Sequence, residues 1–88
     1  MKDYEVVEVL ENEIYINGNV PDIIHGGGFS VDGVSDVEIE INTNNDVSGT
    51  CTLETTHEEH GDVPFRGSFH IKINNDENDV EFEDFELS

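Results

Sequence analysis

Two histidines three residues apart and a single cysteine are the side chains best equipped for chemistry in this chain. His57-Glu58-Glu59-His60, with Cys51 six residues upstream, offers the imidazole and thiolate ligands that zinc prefers. The spacing does not make a zinc site, because no matching Cys or His pair with helix or knuckle geometry accompanies it. His25 and His70 join only if folding brings them in, so exposed loop histidines are the simpler reading. His25-Gly26-Gly27-Gly28 matches the glycine-rich segment that lends backbone donors to the oxyanion in many α/β-hydrolases. The nucleophile elbow is missing, since Gly28-Phe29-Ser30-Val31-Asp32 lacks its final glycine, and 88 residues are too few for that fold. The residues therefore predict a non-enzyme, with no catalytic side chain, cofactor or resident metal assigned.

Asn74-Asn75-Asp76-Glu77-Asn78-Asp79 is rich in hard oxygen donors, yet it lacks the glycine and the terminal bidentate Glu of an EF-hand loop. A turn is the default, since Asn and Asp tolerate left-handed backbone and hydrogen-bond their own main chain. A calcium-binding β-module centred on residues 76–84 is the alternative.

The strongest signal is collective. The chain carries 22 Asp or Glu against three Lys or Arg, a formal net charge of −19. No Lys or Arg lies between Lys2 and Arg66, and seven acids fall within residues 76–86. Net charge of this size speaks to solubility, long-range field and choice of partner. Solubility alone asks for a magnitude of only about 2 to 8, and self-repulsion costs a small domain stability. High-salt adaptation is a competing explanation, although nine Asn, eight Ile and no Ala are unlike the small-residue-rich composition it leads one to expect.

Outward side chains recur every ~6.7 Å along a strand, and strands lie ~4.8 Å apart; one phosphate occurs per ~3.4 Å along each strand of duplex DNA. Carboxylates on adjacent strands thus approach the charge density of a nucleic-acid backbone. The expected partner-binding set is Glu38, Glu40, Glu54, Asp76, Glu77, Asp79, Glu81, Glu83, Asp84 and Glu86. Tyr15, Phe29 and Phe65 are candidate aromatic anchors. The partner expected is a basic nucleic-acid-binding protein or nuclease complex, with no direct contact to nucleic acid or membrane; oligomeric state, including a homodimer, stays open.

In size, charge and domain economy the chain resembles the small acidic nucleic-acid mimics of bacteriophages that block restriction, repair or CRISPR nucleases. The resemblance implies a non-enzymatic inhibitor acting in the host cytoplasm. It rests on no residue motif, so it assigns no functional residue. An immunity-type inhibitor of a basic toxin is a further alternative.

The elements that must carry these side chains read as strands. Ten Val, eight Ile, five Phe and two Tyr favour a pleated surface, while Ala and Gln are absent and Leu and Met scarce. Period-two alternation between Gly, Asn and Asp clusters predicts an all-β, single antiparallel domain over residues 1–88, of about six strands, as a sandwich or partly open barrel with little or no helix. The first two strands are expected over 4–10 and 13–19, with a helical turn possible at 22–25 and a loop through the glycine run. A hairpin turning at 42–47 points Val37, Ile39, Ile41, Cys51, Leu53 and Thr55 inward and sets Glu38 near Glu54. A long loop over 57–64 then leads to Phe69, Ile71 and Ile73. In the last strand Val80 and Phe82 share one parity and Phe85 and Leu87 the other, which predicts a β-bulge near Glu83-Asp84. Lys72 should face Glu81.

Residues 1–10 alternate charge with apolar side chains, unlike a signal peptide or membrane span. A lone cysteine fits a reducing compartment, so the cytoplasm is expected.

Overall fold

Apolar residues of alternate parity on three consecutive hairpins bury one face of a single antiparallel sheet. The computed structural model describes residues 2–74 and 79–87. Its strands β1 (Phe29–Asn42), β2 (Asp46–His57), β3 (Gly61–Asn74) and β4 (Asp79–Leu87) form a meander in the order β1-β2-β3-β4. The antiparallel β-domain expected from the sequence is present, with four strands rather than six among the described residues.

One layer was not expected. Residues 4–10 and 13–19 are not strands: α1 spans Asp3–Leu10 and continues as a π-helical segment, Glu11–Ile16, and α2 spans Asp22–His25. Val6, Leu10 and Ile14 recur every four residues and are fully buried together with Ile24. That stripe lies over Val47, Cys51, Leu53, Phe69, Ile71 and Phe85 of the sheet, so core and helix are one cluster. β-Branched residues prefer strands only weakly, and the need to cover an apolar sheet face overrides that preference. The helical layer thus takes the place of a second sheet or a barrel wall.

Local contacts set the limits of this layer. The Glu5 carboxylate accepts the backbone N–H of Lys2 at 3.0 Å, and Asp3 and Glu5 sit in the first turn, where negative charge offsets the helix dipole. At the other end Gly18 turns the chain with φ +69°. The Nε2–H of His25 donates to the Gly18 carbonyl at 2.7 Å. The Glu13 carboxylate accepts from the side-chain amides of Asn17 and Asn19 at 3.3 and 2.8 Å. Among the described residues no helix is long and apolar enough to cross a membrane.

The sheet follows the expected parity in β2, β3 and β4. The β1–β2 turn falls at 42–47, and Cys51, Leu53 and Thr55 are buried. Ile41 departs from its expected inward side: β1 bulges between Ile39 and Ile41, so Ile41 pairs with Ser48 and is 52% exposed. The β3–β4 pairing sets Lys72 against Glu81, then slips between His70 and Ile71, so that Ile71 faces Phe82 while His70 faces Asp84. Glu83 is the extra residue, and the slip returns Phe85 to the core, as its parity required. Two further details differ. Glu38 pairs with Thr50 and Glu54 with Gly33, because bulges in β1 shift the register between them. The loop expected at 57–64 is only a turn at 58–60, since Pro64 already pairs with Glu54 in the sheet.

The candidate functional site

The face of the sheet opposite the helices is lined by the polar parity. Successive cross-strand partners there are Glu38, Thr50, Ser68 and Glu86, one from each strand in order. Asp46, Lys72 and Glu81 form a second row, and Ser48 and His70 lie in a third. Acids occupy the outer strands of the first row, ~14 Å apart over three strand spacings. The even-numbered residues of β3 supply a central basic line of Arg66, His70 and Lys72.

Arg66 holds this face together. Its two terminal nitrogens donate to the Asp36 carbonyl at 2.7 Å, the Thr52 hydroxyl at 3.2 Å, the Thr50 hydroxyl at 2.7 Å and the Glu38 carboxylate at 3.3 Å. Asp36 has φ +48° and lies where β1 bulges between Ser35 and Glu38. The planar fork of the guanidinium reaches all of these acceptors at once, which an ammonium does not. His70 is bracketed by two carboxylates, Asp46 at 3.1 Å from Nε2 and Glu83 at 2.8 Å from Nδ1.

The expected partner-binding residues therefore have different fates. Glu38 is paired with Arg66 and Glu83 with His70. Glu54 accepts the Ser35 hydroxyl at 2.6 Å, and Glu81 faces Lys72. Glu40 and Glu86 are exposed on the outer strands. Asp76 and Glu77, with most of the proposed calcium loop, lie outside the described residues. Asp79 and Asp84 are fixed by their backbone pairing in β4.

Among the described residues no continuous acidic patch joins this set, because the open sheet face alternates acids on the outer strands with bases along β3. Acids that sequence reasoning left out are as prominent. Asp46 and Asp32 lie on the open face, where Asp32 accepts from the Thr56 hydroxyl at 2.5 Å. Asp3, Glu5, Glu8, Glu11, Glu13 and Asp22 belong to the helical layer and its connections. The parity of the 42–47 hairpin was enough to find Asp46; the helical acids were hidden by the strand assignment.

The aromatic anchors divide likewise. Phe29 is edge-on to Phe65 at 5.0 Å and to His57 at 4.7 Å, and both phenylalanines pack against the core, so neither is a free anchor. Tyr15 is 53% exposed and Tyr4 61%, both on the helical layer.

The candidate zinc ligands do not converge. His57 and His60 stack on each other at 4.6 Å in the β2–β3 turn, while Cys51 is buried on the core side of β2 and His25 is tied to Gly18. Among the described residues no group of three His, Cys, Asp or Glu could hold a metal ion. Burial pushes the Cys51 thiol up to about 11 from 9.0, against the opposing charge of Arg66, so it is a protonated core side chain at neutral pH. His25-Gly26-Gly27-Gly28 ends α2 and turns into β1. A Cβ on Gly27 would collide with the Ile23 carbonyl oxygen, so close backbone approach accounts for a glycine there.

The molecule is elongated, 45 × 21 × 19 Å along its principal axes, and acids occupy both its helical layer and its open sheet face. Comparison with protein-family models, with curated proteins and with solved structures returned no match to this chain.

Proposed function

We propose that this chain is a non-enzymatic inhibitor that imitates the charge of nucleic acid and occupies the basic DNA- or RNA-binding groove of a nuclease or other nucleic-acid enzyme. The observation that carries the proposal is the charge per unit length. A net −19 along 45 Å is one charge per about 2.4 Å, beside one phosphate charge per ~1.7 Å of duplex axis. Because the acids lie on both layers, the likeness is to a charged rod rather than to a flat patch.

Long-range attraction to a basic groove speeds encounter. Lys and Arg that normally hold phosphates then meet carboxylates, with which Arg makes the same bidentate pairs. Glu40, Glu81 and Glu86 at the sheet edges and Glu8 and Glu11 on the helix carry this role. Glu38 and Glu83 contribute less, being already paired to Arg66 and His70. A phage anti-restriction or anti-CRISPR protein working in the host cytoplasm is the setting this mechanism suits.

The test is retention and inhibition of a basic nucleic-acid enzyme on the immobilised chain. Activity should fall as chain is added and return with excess non-cleavable duplex or RNA. Retention should weaken steeply from about 0.05 to about 0.5 M salt. Inhibition that excess nucleic acid does not relieve points to an immunity-type inhibitor, and failure to retain any basic enzyme overturns the proposal.

A further inference from the structure

At the outer edge of β4 the helical layer and the sheet do not close on each other. A groove of about 540 Å³ opens between the segment after the π-helical turn and the edge strand. Its lining includes Val20, Phe82, Phe85 and Leu87 together with the two acids Glu83 and Glu86. Among the described strands β4 pairs only with β3, so the groove is reached from the side. The volume falls within the range of ligand pockets, about 300–1,000 Å³.

We propose that this groove seats an arginine side chain presented by the basic partner. The inference rests on the reading of the chain as a decoy for a basic protein, and it gives that reading one anchoring point. A long cationic side chain lays its methylene stem on apolar surface and keeps its charged head at a polar rim. The groove brings both parts together, apolar Phe82, Phe85 and Leu87 and the carboxylates of Glu83 and Glu86. Arginine fits better than lysine, because its planar head pairs with carboxylates through two hydrogen bonds and stacks on phenyl rings such as Phe82.

One of the two carboxylates is also held in place. The Glu83 Oε2 lies 2.8 Å from Nδ1 of His70, and a carboxylate retains further lone-pair sites for a second donor. A small neutral ligand would offer no charge to either carboxylate, and an acidic one would be repelled by both and by the net charge of −19.

The experiment is an NMR titration of the labelled full chain at about 0.15 M salt with a capped Gly-Arg-Val peptide, its citrulline counterpart and its lysine counterpart. Shifts should concentrate at the backbone amides of Val20 and of residues 82–87. Citrulline, which keeps the shape and loses the charge, should bind at least about tenfold more weakly, and lysine should fall between. Glu86→Gln should weaken the arginine peptide about tenfold, whereas Glu8→Gln, an equal loss of charge on the exposed helix, should change it less than about twofold.

Shifts spread evenly over residues 3–16 and β1, equal binding of the citrulline peptide, or equal effects of the two substitutions would each overturn the arginine site. If the site fails while a nucleic-acid enzyme is still inhibited, the decoy reading stands without this anchor. If the peptide seats as described and no such enzyme is inhibited, the decoy reading fails alone.

Discussion

Glu83 is the unpaired residue of the β4 bulge, and its carboxylate lies 2.8 Å from Nδ1 of His70 on the neighbouring strand. The same ring meets Asp46 at 3.1 Å through Nε2. Ionised carboxylates only accept hydrogen bonds, so the ring donates to both only when both of its nitrogens carry protons. The bulge that returns Phe85 to the core therefore also closes a Glu-His-Asp bracket across three strands. A double-mutant cycle of His70→Ala and Glu83→Gln in urea denaturation should give a coupling of about 0.5 kcal/mol. The small size follows from solvent screening, as both side chains are about 40% exposed.

Arg66 should matter more. Its removal leaves the Thr50 and Thr52 hydroxyls, the Glu38 carboxylate and the Asp36 carbonyl without their shared donor. Arg66→Ala is expected to cost about 1–2 kcal/mol of stability. Arg66→Lys should recover less than half of that, because one ammonium does not span the fork. Denaturant midpoints of the two variants provide the check, and an Arg66→Lys protein as stable as the parent would remove the forked network as an explanation.

The N-terminal layer yields a contrast between helix and strand. In a strand Ile14 and Ile16 would share one face; in the helical segment Ile14 is fully buried and Ile16 is 68% exposed. Leu10→Ala and Ile14→Ala should each cost about 2–5 kcal/mol, while Ile16→Ala should stay within about 0.5 kcal/mol. Comparable losses at positions 14 and 16 in thermal unfolding would contradict the helical layer.

Cys51 predicts a stability change in alkali. Its thiol is held up to about 11 in the folded chain, mainly by burial, against 9.0 for an ordinary thiol. Below pH 9 both states keep the proton and the group contributes no slope. Between pH 9 and 11 the unfolded chain releases its proton first, so the folded state loses stability as pH rises through this window. Unfolding free energies measured from pH 8 to pH 11 should fall less steeply for Cys51→Ala than for the parent. Native labelling by a thiol reagent at neutral pH should be slow and should speed up on unfolding. Fast native labelling would show the thiol to be accessible.

The β1–β4 meander was legible because parity in a strand is strict. One inserted residue moves every later side chain to the other face, so Phe82 and Phe85 on opposite parities required a bulge, and one is found at Glu83. The N-terminal segment was not legible. Charge alternates with Val, Ile and Tyr there in a way that satisfies a strand, while Val6, Leu10 and Ile14 satisfy a helix equally well. The sheet that decides between them begins only at Phe29 and runs on to Leu87.

The candidate site divides in the same way. Composition determined that this chain carries a dense negative charge, and the order of residues determined that its sheet is antiparallel and which residues of β2, β3 and β4 face inward, since charge is additive and strand parity is local. Tertiary structure alone decided that the acids surround an elongated body on two layers. It also decided that Arg66 and His70 neutralise part of the expected set, and that an apolar groove opens beside Glu83 and Glu86. These depend on which distant segments pack together, and bulges of single residues and a helix laid over a sheet are chosen by the fit of the whole core rather than by any local run of the chain.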